Sequence, residues 1–377
     1  GEQSRREGGK VFGSGSRTTV AIYLLIRTSK GAASGGLFYH DIGDYLTREQ
    51  KLESLRLARS YANVEWKRLV PNSAGDWINL RNDDFGGYTP IWDKSGQKAV
   101  FGTASRGLLT ARDAWVLNSS RVVLERNISR MISAYNAEVR SFLEATSEVR
   151  SSRTIERLRS VVERDPKVIN WDGNLEKYAT RGGLLEYDEQ SLRVATYRPF
   201  QKQHLYLGAR LINSTYQMPA LFPADGPPNF GFVMPGAGSA QPFSLLMVDA
   251  IPEFAMFGAQ TNAQFFPRYR FERTLPESEL FAGLLDEGEN CRRIDNISEE
   301  VLREYQSVLG EPINADDVFF YIYGLLHSAE FRKRYKSDLR KVLPRVPIVK
   351  SFAKFADAGR KLSELHLDYE AAQPYSL

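Results

Sequence analysis

Met131-Ile132-Ser133-Ala134-Tyr135-Asn136-Ala137-Glu138-Val139-Arg140-Ser141-Phe142-Leu143 sets apolar side chains at 131, 132, 135, 139, 142 and 143. Three- and four-residue gaps put those side chains on one face of an α-helix. With Val122 and Val123 upstream, the pattern predicts helix across Arg112 to Glu148. The texture changes on either side of this stretch. Lys10–Phe12 is short and extended, and Thr18 to Thr28 is β-branched and aliphatic, which reads as a buried strand. A Gly/Ala/Ser loop then leads to a second strand, Leu37 to Ile42. Thr47 to Ser60 reads as a helix, with Thr47 as N-cap and Gln50 three residues on. Val64 to Gly107 holds Trp66, Trp77 and Trp92 among Asn, Asp, Gly and Pro, so short strands and long loops are expected there. Ser152 to Arg164 is an arginine-rich helix, and Tyr197 to Glu272 returns to strands and loops. Ala315 to Leu343 is helical until Pro344 and Pro347 stop it, and Lys350 to Leu367 is a last amphipathic helix. The fold class is therefore α/β of the mixed α+β kind, with strands at the start, a mixed α/β body and a helical C-terminal cap.

A chain of 377 residues, 42% hydrophobic and 25% charged, is long enough for two or three cores. No apolar run approaches the roughly 20 residues of a membrane-spanning helix, so no membrane partner is expected. The opening residues carry no apolar signal region, and a cytoplasmic protein is expected. Cys291 is the only cysteine, which excludes an internal disulfide and a thiolate metal cluster. His40, His204, His327 and His366 lack ligand spacing, so no metal site is expected. The glycines of Gly13–Ser16 and Gly231–Gly238 are not followed by a helix, as a phosphate cradle requires. No catalytic motif or carboxylate pair stands out, and no catalytic residue is assigned.

The net charge of +4 is mild, but its distribution is uneven. Between Arg332 and Lys350 there are eight basic residues against the single acid Asp338. Such a run is either a solvated helix face or a grip on phosphates, the latter through Arg332, Arg334 and Lys336. Phe319, Phe320, Tyr323, Phe331 and Tyr335 mark the core-facing side of the same region.

Three passages, in order, carry a family resemblance. They are Lys10-Val11-Phe12-Gly13-Ser14-Gly15-Ser16-Arg17, then Gly107-Leu108-Leu109-Thr110-Ala111-Arg112-Asp113-Ala114-Trp115, and Phe320-Tyr321-Ile322-Tyr323-Gly324-Leu325-Leu326-His327-Ser328. Tyr197-Arg198-Pro199-Phe200 and Phe265-Phe266-Pro267 fit between them. Together they resemble the C-terminal half of type ISP restriction–modification enzymes. The resemblance implies a parent with nuclease, translocating ATPase, adenine-N6 methyltransferase and target recognition parts. It divides this chain into residues 1–60, the last strands and linker helix of the methyltransferase; 61–310, the recognition domain; and 311–377, its helical cap. A glycine-rich methyl-donor turn and an Asn-Pro-Pro-aromatic motif are missing, and Asp225-Gly226-Pro227-Pro228-Asn229 has the wrong order. No cofactor is therefore expected in this chain, and S-adenosylmethionine is expected for the intact parent. The expected partners are double-stranded DNA and the parent's remaining methyltransferase, helicase and nuclease domains.

The resemblance also implies roles for single residues. Phe12 would stack on a flipped adenine, and Arg17 would meet a phosphate. Arg81, Asn82, Arg106, Lys202 and Gln203 are the kinds of residue that read base edges or phosphates. Arg112 is either a DNA contact or the basic half of an internal ion pair with Asp113, with Trp115 packed beneath. Two other readings stay open: a complete but divergent methyltransferase, and an interaction scaffold that makes no DNA contact.

Overall fold

Ser120 starts the longest helix by accepting the amide of Val123 on its side chain, satisfying a backbone donor that a helix start leaves unpaired. The helix runs over Arg121–Ala145 and buries Leu124, Ile128, Met131, Ile132, Tyr135, Val139 and Phe142. Each such aliphatic side chain contributes about 1.5–3 kcal/mol by leaving water. The helix does not begin at Arg112 as the periodicity suggests. A single turn, Asp113–Val116, and a two-residue strand, Leu117–Asn118, precede it, because Asn118, Ser119 and Ser120 form the polar start.

This computed structural model describes residues 21–26, 35–78, 80–208, 210–273 and 291–373. The chain divides into two compact units, Gly1–Arg81 and Asn82–Leu377. In the first, β1 (Leu37–Tyr39) pairs antiparallel with β2 (Lys67–Leu69). Between them lies α1 (Arg48–Ala58), which opens with a capping box between Thr47 and Gln50 and buries none of its residues. The strand expected over Thr18 to Thr28 is not seen where it can be judged. Residues 21–26 form no strand and are exposed, and no described strand pairs with them to satisfy their backbone groups. Lys10–Phe12, Phe12 itself and Arg17 lie outside the described residues.

In the second unit, β4 (Ser105–Arg106), β11 (Gln264–Pro267), β8 (Gly231–Met234) and β9 (Leu246–Val248) form an antiparallel sheet in that spatial order. Alternation along its strands builds two cores. Val233, Phe265, Leu246 and Val248 face the core that contains the long helix, α3. Phe232, Met234, Phe266 and Met247 face the second core, beneath the C-terminal helices. A further sheet, β10 (Ile251–Pro252), β6 (Leu192–Arg198), β7 (Gln201–Tyr206) and β5 (Leu117–Asn118), borders the first core.

The expected helix 315–343 is three helices: α8 (Ala315–His327), α9 (Ala329–Arg334) and α10 (Lys336–Leu339). Ser328 breaks the run because its hydroxyl caps Phe331 N. α8 packs on α11 (Phe352–Leu367) at two glycines. A Cβ on Gly324 would overlap the Phe355 carbonyl, and one on Gly359 the Phe320 carbonyl. Phe85, Phe101 and Phe232 of the body share one core with Phe319 and Phe352, so that core spans residues on both sides of the expected 310/311 boundary. No described helix is long and apolar enough to cross a membrane.

Candidate nucleic-acid interface

β4 is an edge strand of two residues, with Ser105 buried and Arg106 exposed. The chain around it is clamped on two sides. Gly107 N donates to Ala263 O at 3.0 Å, Leu108 N to Pro252 O at 2.7 Å, and Leu109 exchanges bonds with Ser214. Gly107 has to be glycine, since a Cβ would lie 2.8 Å from the Glu253 carbonyl. Phe254 N donates to Leu108 O, and Ala263 N to Phe254 O, which closes the segment 252–264 against β4.

Arg106 extends outward from this clamp. Its guanidinium lies 5.9 Å from the Tyr216 ring centroid, and Tyr216 stacks on Phe254 at 6.2 Å and 11°. Gln264 stands directly opposite Arg106 in the β4–β11 register. Gln217 is held by its backbone N on Ser105 Oγ and by its side chain on Ala104 O. Three non-glycine residues here are left-handed: Tyr216 at φ 46, Gln260 at 62 and Asn262 at 48. Such conformations cost about 1–3 kcal/mol each, least for Asn, and persist only where the surroundings impose them. For Gln260 and Asn262, buried Thr261 between them does so. Its hydroxyl donates to Gly258 O and its carbonyl accepts from Gly236 N, and a Cβ on Gly236 would strike Asn262 O. The result is a rigid outer face of guanidinium, phenol and amide groups.

Under this face lies Glu253, 3% exposed. Its carboxylate accepts from Arg198 Nη1 at 2.9 Å and from Ala255 N at 2.7 Å. Burial, and then the nearby Asp113 charge, push its pKa up to about 7 despite those donors. Arg198 in turn lies 3.8 Å over Tyr197, whose hydroxyl donates to Asp113. Beside them, an open groove of about 540 Å³ is lined by Arg198, Pro199, Gln241, Ser244, Met256 and Phe257 among others.

The remaining expected contacts fall elsewhere, and several are consumed inside the protein. Arg112 is 2% exposed, pairs with Asp172 at 3.0 Å and donates to the Asn170 and Leu211 carbonyls. It forms an internal ion pair whose acid is Asp172 and not Asp113, which binds Thr110 and Tyr197. Trp115 is buried next to it and donates to Pro166 O. Asn82 spends its backbone N and side chain on Asp338 and Arg334 O, inside the unit. Exposed Arg334 bonds Asp84 at the surface, whereas half-buried Arg332 donates to Leu326 O and faces His327. Burial, then the Arg332 and His366 charges, push the His327 pKa down to about 3. Arg345 is likewise held by the Gly86 and Tyr88 carbonyls. Of the basic run, Lys333, Arg334, Lys336, Arg340 and Lys350 are exposed. Lys202 and half-buried Gln203 lie on β7, with Lys202 paired to Asp249. In the first unit, Arg81 pairs with Asp76 at 3.1 Å.

Arg106 is thus the sequence candidate around which a face is built. Tyr216, Gln217, Gln260, Asn262 and Gln264 join it without having been singled out. A signal for them exists: amides at alternate positions 260, 262 and 264 within a Gly/Ala-rich stretch. Among the described residues no three His, Cys, Asp or Glu converge as metal ligands do.

A family model described as the type ISP C-terminal specificity domain matches residues 99–377, which include every member of this face. Over its whole length the chain is similar to a nuclease-deletion mutant of the type ISP restriction–modification enzyme LlaGI in complex with a DNA substrate mimic. Identity is 35% and the TM-score 0.81, with 32% of that chain covered. It is also similar to the ATP-dependent type ISP restriction–modification enzyme LlaBIII bound to DNA, at 28% identity and TM-score 0.77, covering 93% of this chain and 21% of that one. A third similar structure is a DrdV–DNA complex, at 25% identity and TM-score 0.75, covering 90% of this chain and 31% of that one. The chain therefore spans a third or less of the length of each of these three. No curated protein matches it.

Proposed function

The chain belongs to the type ISP C-terminal specificity domain family, and from that premise we propose that it recognises the DNA target of a longer restriction–modification enzyme through the Arg106 face. One observation carries the assignment to this face. Left-handed Tyr216 lies beneath the guanidinium of an exposed arginine that no acid neutralises among the described residues, and the exposed, left-handed Gln260 and Asn262 stand on the segment leading into the strand paired with it. Backbone fixed in this way on an exposed surface can fit a groove without rearranging. Arginine and amide side chains carry the donor and acceptor pairs that distinguish base edges. Lys333, Lys336, Arg340 and Lys350 are suited to phosphates, which fix register without reading sequence.

In the intact protein, adenine-N6 methyl transfer would belong to sequence outside this chain. S-adenosylmethionine would bind there, and the methyltransferase, helicase and nuclease parts would be this chain's covalent neighbours in the cytoplasm. The proposal is tested by fluorescence anisotropy of the 377-residue chain with labelled duplexes at rising salt. Binding is expected to weaken linearly on a log–log plot and to be tighter for some sequences than others. No binding at low salt, or equal binding to every duplex, would refute it.

A further inference from the structure

Resting on the reading of this face as the one that meets DNA, we infer that Arg106 and Gln264 read a guanine and an adenine on neighbouring base pairs. Directly opposed residues of an antiparallel pair point to the same side, with Cβ atoms about 4.5–5.5 Å apart. Successive base pairs are about 3.4 Å apart, so two side chains so placed reach adjacent steps without crossing. Each side chain is also chemically suited to one base. The Arg106 guanidinium forms no ion pair among the described residues and is steadied over Tyr216, leaving its planar fork to donate twice. Two parallel donors match O6 and N7 of guanine. The Gln264 amide makes one long bond, Nε2 to Asn262 O at 3.5 Å, and among the described residues its Oε1 has no hydrogen-bond donor. So long a bond is weak enough to exchange for one to a base. An amide that accepts through Oε1 and donates through Nε2 matches N6 and N7 of adenine.

The strand frame separates this role from a phosphate contact. Ser105 on one side of Arg106 is buried under Gln217, and Gly107 on the other is clamped between Glu253 and Ala263. Arg106 is therefore carried on rigid backbone, as a base reader must be, and not at the end of a loose loop.

The test is selection of bound duplexes from a randomised library by the wild-type chain and by Arg106→Ala, Gln264→Ala and Gln264→Arg. Arg106→Ala is expected to lose guanine preference at one position, by about 10- to 100-fold, and Gln264→Ala adenine preference at the adjacent position. Gln264→Arg should convert that adjacent position from adenine to guanine, a gain that a misfolded or merely structural variant would not produce. If Arg106→Ala weakens all sequences equally, if the two positions are not neighbours, or if the variants leave preference unchanged, the inference is overturned and recognition by the domain survives. A wild-type chain that selects no sequence would overturn both.

Discussion

Replacing Glu253 with glutamine removes one titrating proton from beneath the Arg106 face, and the effect on stability can be worked out. The carboxyl is 3% exposed and its pKa rises from 4.5 to about 7, mainly by burial and then by Asp113. The folded protein therefore holds this proton more tightly than the unfolded chain does. That contribution is complete below pH 4.5 and is lost as pH rises through about 7. At about 1.4 kcal/mol per pH unit, the interval sets an upper bound of roughly 3 kcal/mol. His327 acts in the opposite direction, since its pKa is lowered to about 3 and its stabilising effect grows as pH rises towards 6.5. The informative quantity is thus the difference between variant and wild type. Urea unfolding of both proteins at pH 5, 6, 7 and 8 should show Glu253→Gln gaining on wild type by about 2–3 kcal/mol over that range. Parallel pH curves would show that Glu253 does not titrate there and would refute the reasoning from its burial.

Four further outcomes are expected. Arg112→Ala removes the guanidinium that Asp172 and two carbonyls share, leaving Asp172, among the described residues, only the Leu175 amide and Asn213, and should cost about 3–5 kcal/mol in urea unfolding, whereas Arg106→Ala should cost under about 0.5 kcal/mol. Gly324→Ala drives a methyl into the Phe355 carbonyl and should destabilise by about 1–3 kcal/mol, lowering the thermal midpoint. Gln260→Gly relieves a left-handed glutamine at φ 62, so stability should stay level or rise by up to about 1 kcal/mol while discrimination between duplexes falls. S-adenosylmethionine should leave the thermal midpoint of the chain unchanged, because a ligand raises it only by binding the folded state; a clear rise would place a methyl-donor site here.

The helices were legible because a 3.6-residue period repeats over α3 and α8, and noise at single positions averages out. Their ends were less so, since Ser120 and Ser328 act as caps only through their backbone geometry. The sheets were hardly legible. β3 (Thr89–Pro90), β4, β5, β10 and β14 (Arg345–Val346) are two residues each, and β14 pairs with β3 across some 250 positions of sequence. Charge was readable from sequence, but burial was not. Arg112 and Asn82 looked available because Asp172 and Asp338, which engage them, are distant in the sequence. Residues 260–264 carried only a faint compositional signal, since what sets them apart is backbone conformation.

Amide hydrogen exchange of the chain, free and bound to its preferred duplex, bears most directly on which surface meets DNA. Slowed exchange is expected in the segments 104–108, 213–217 and 258–264 together. Protection confined to the basic stretch 332–350, with those three segments exchanging as in the free protein, would contradict it.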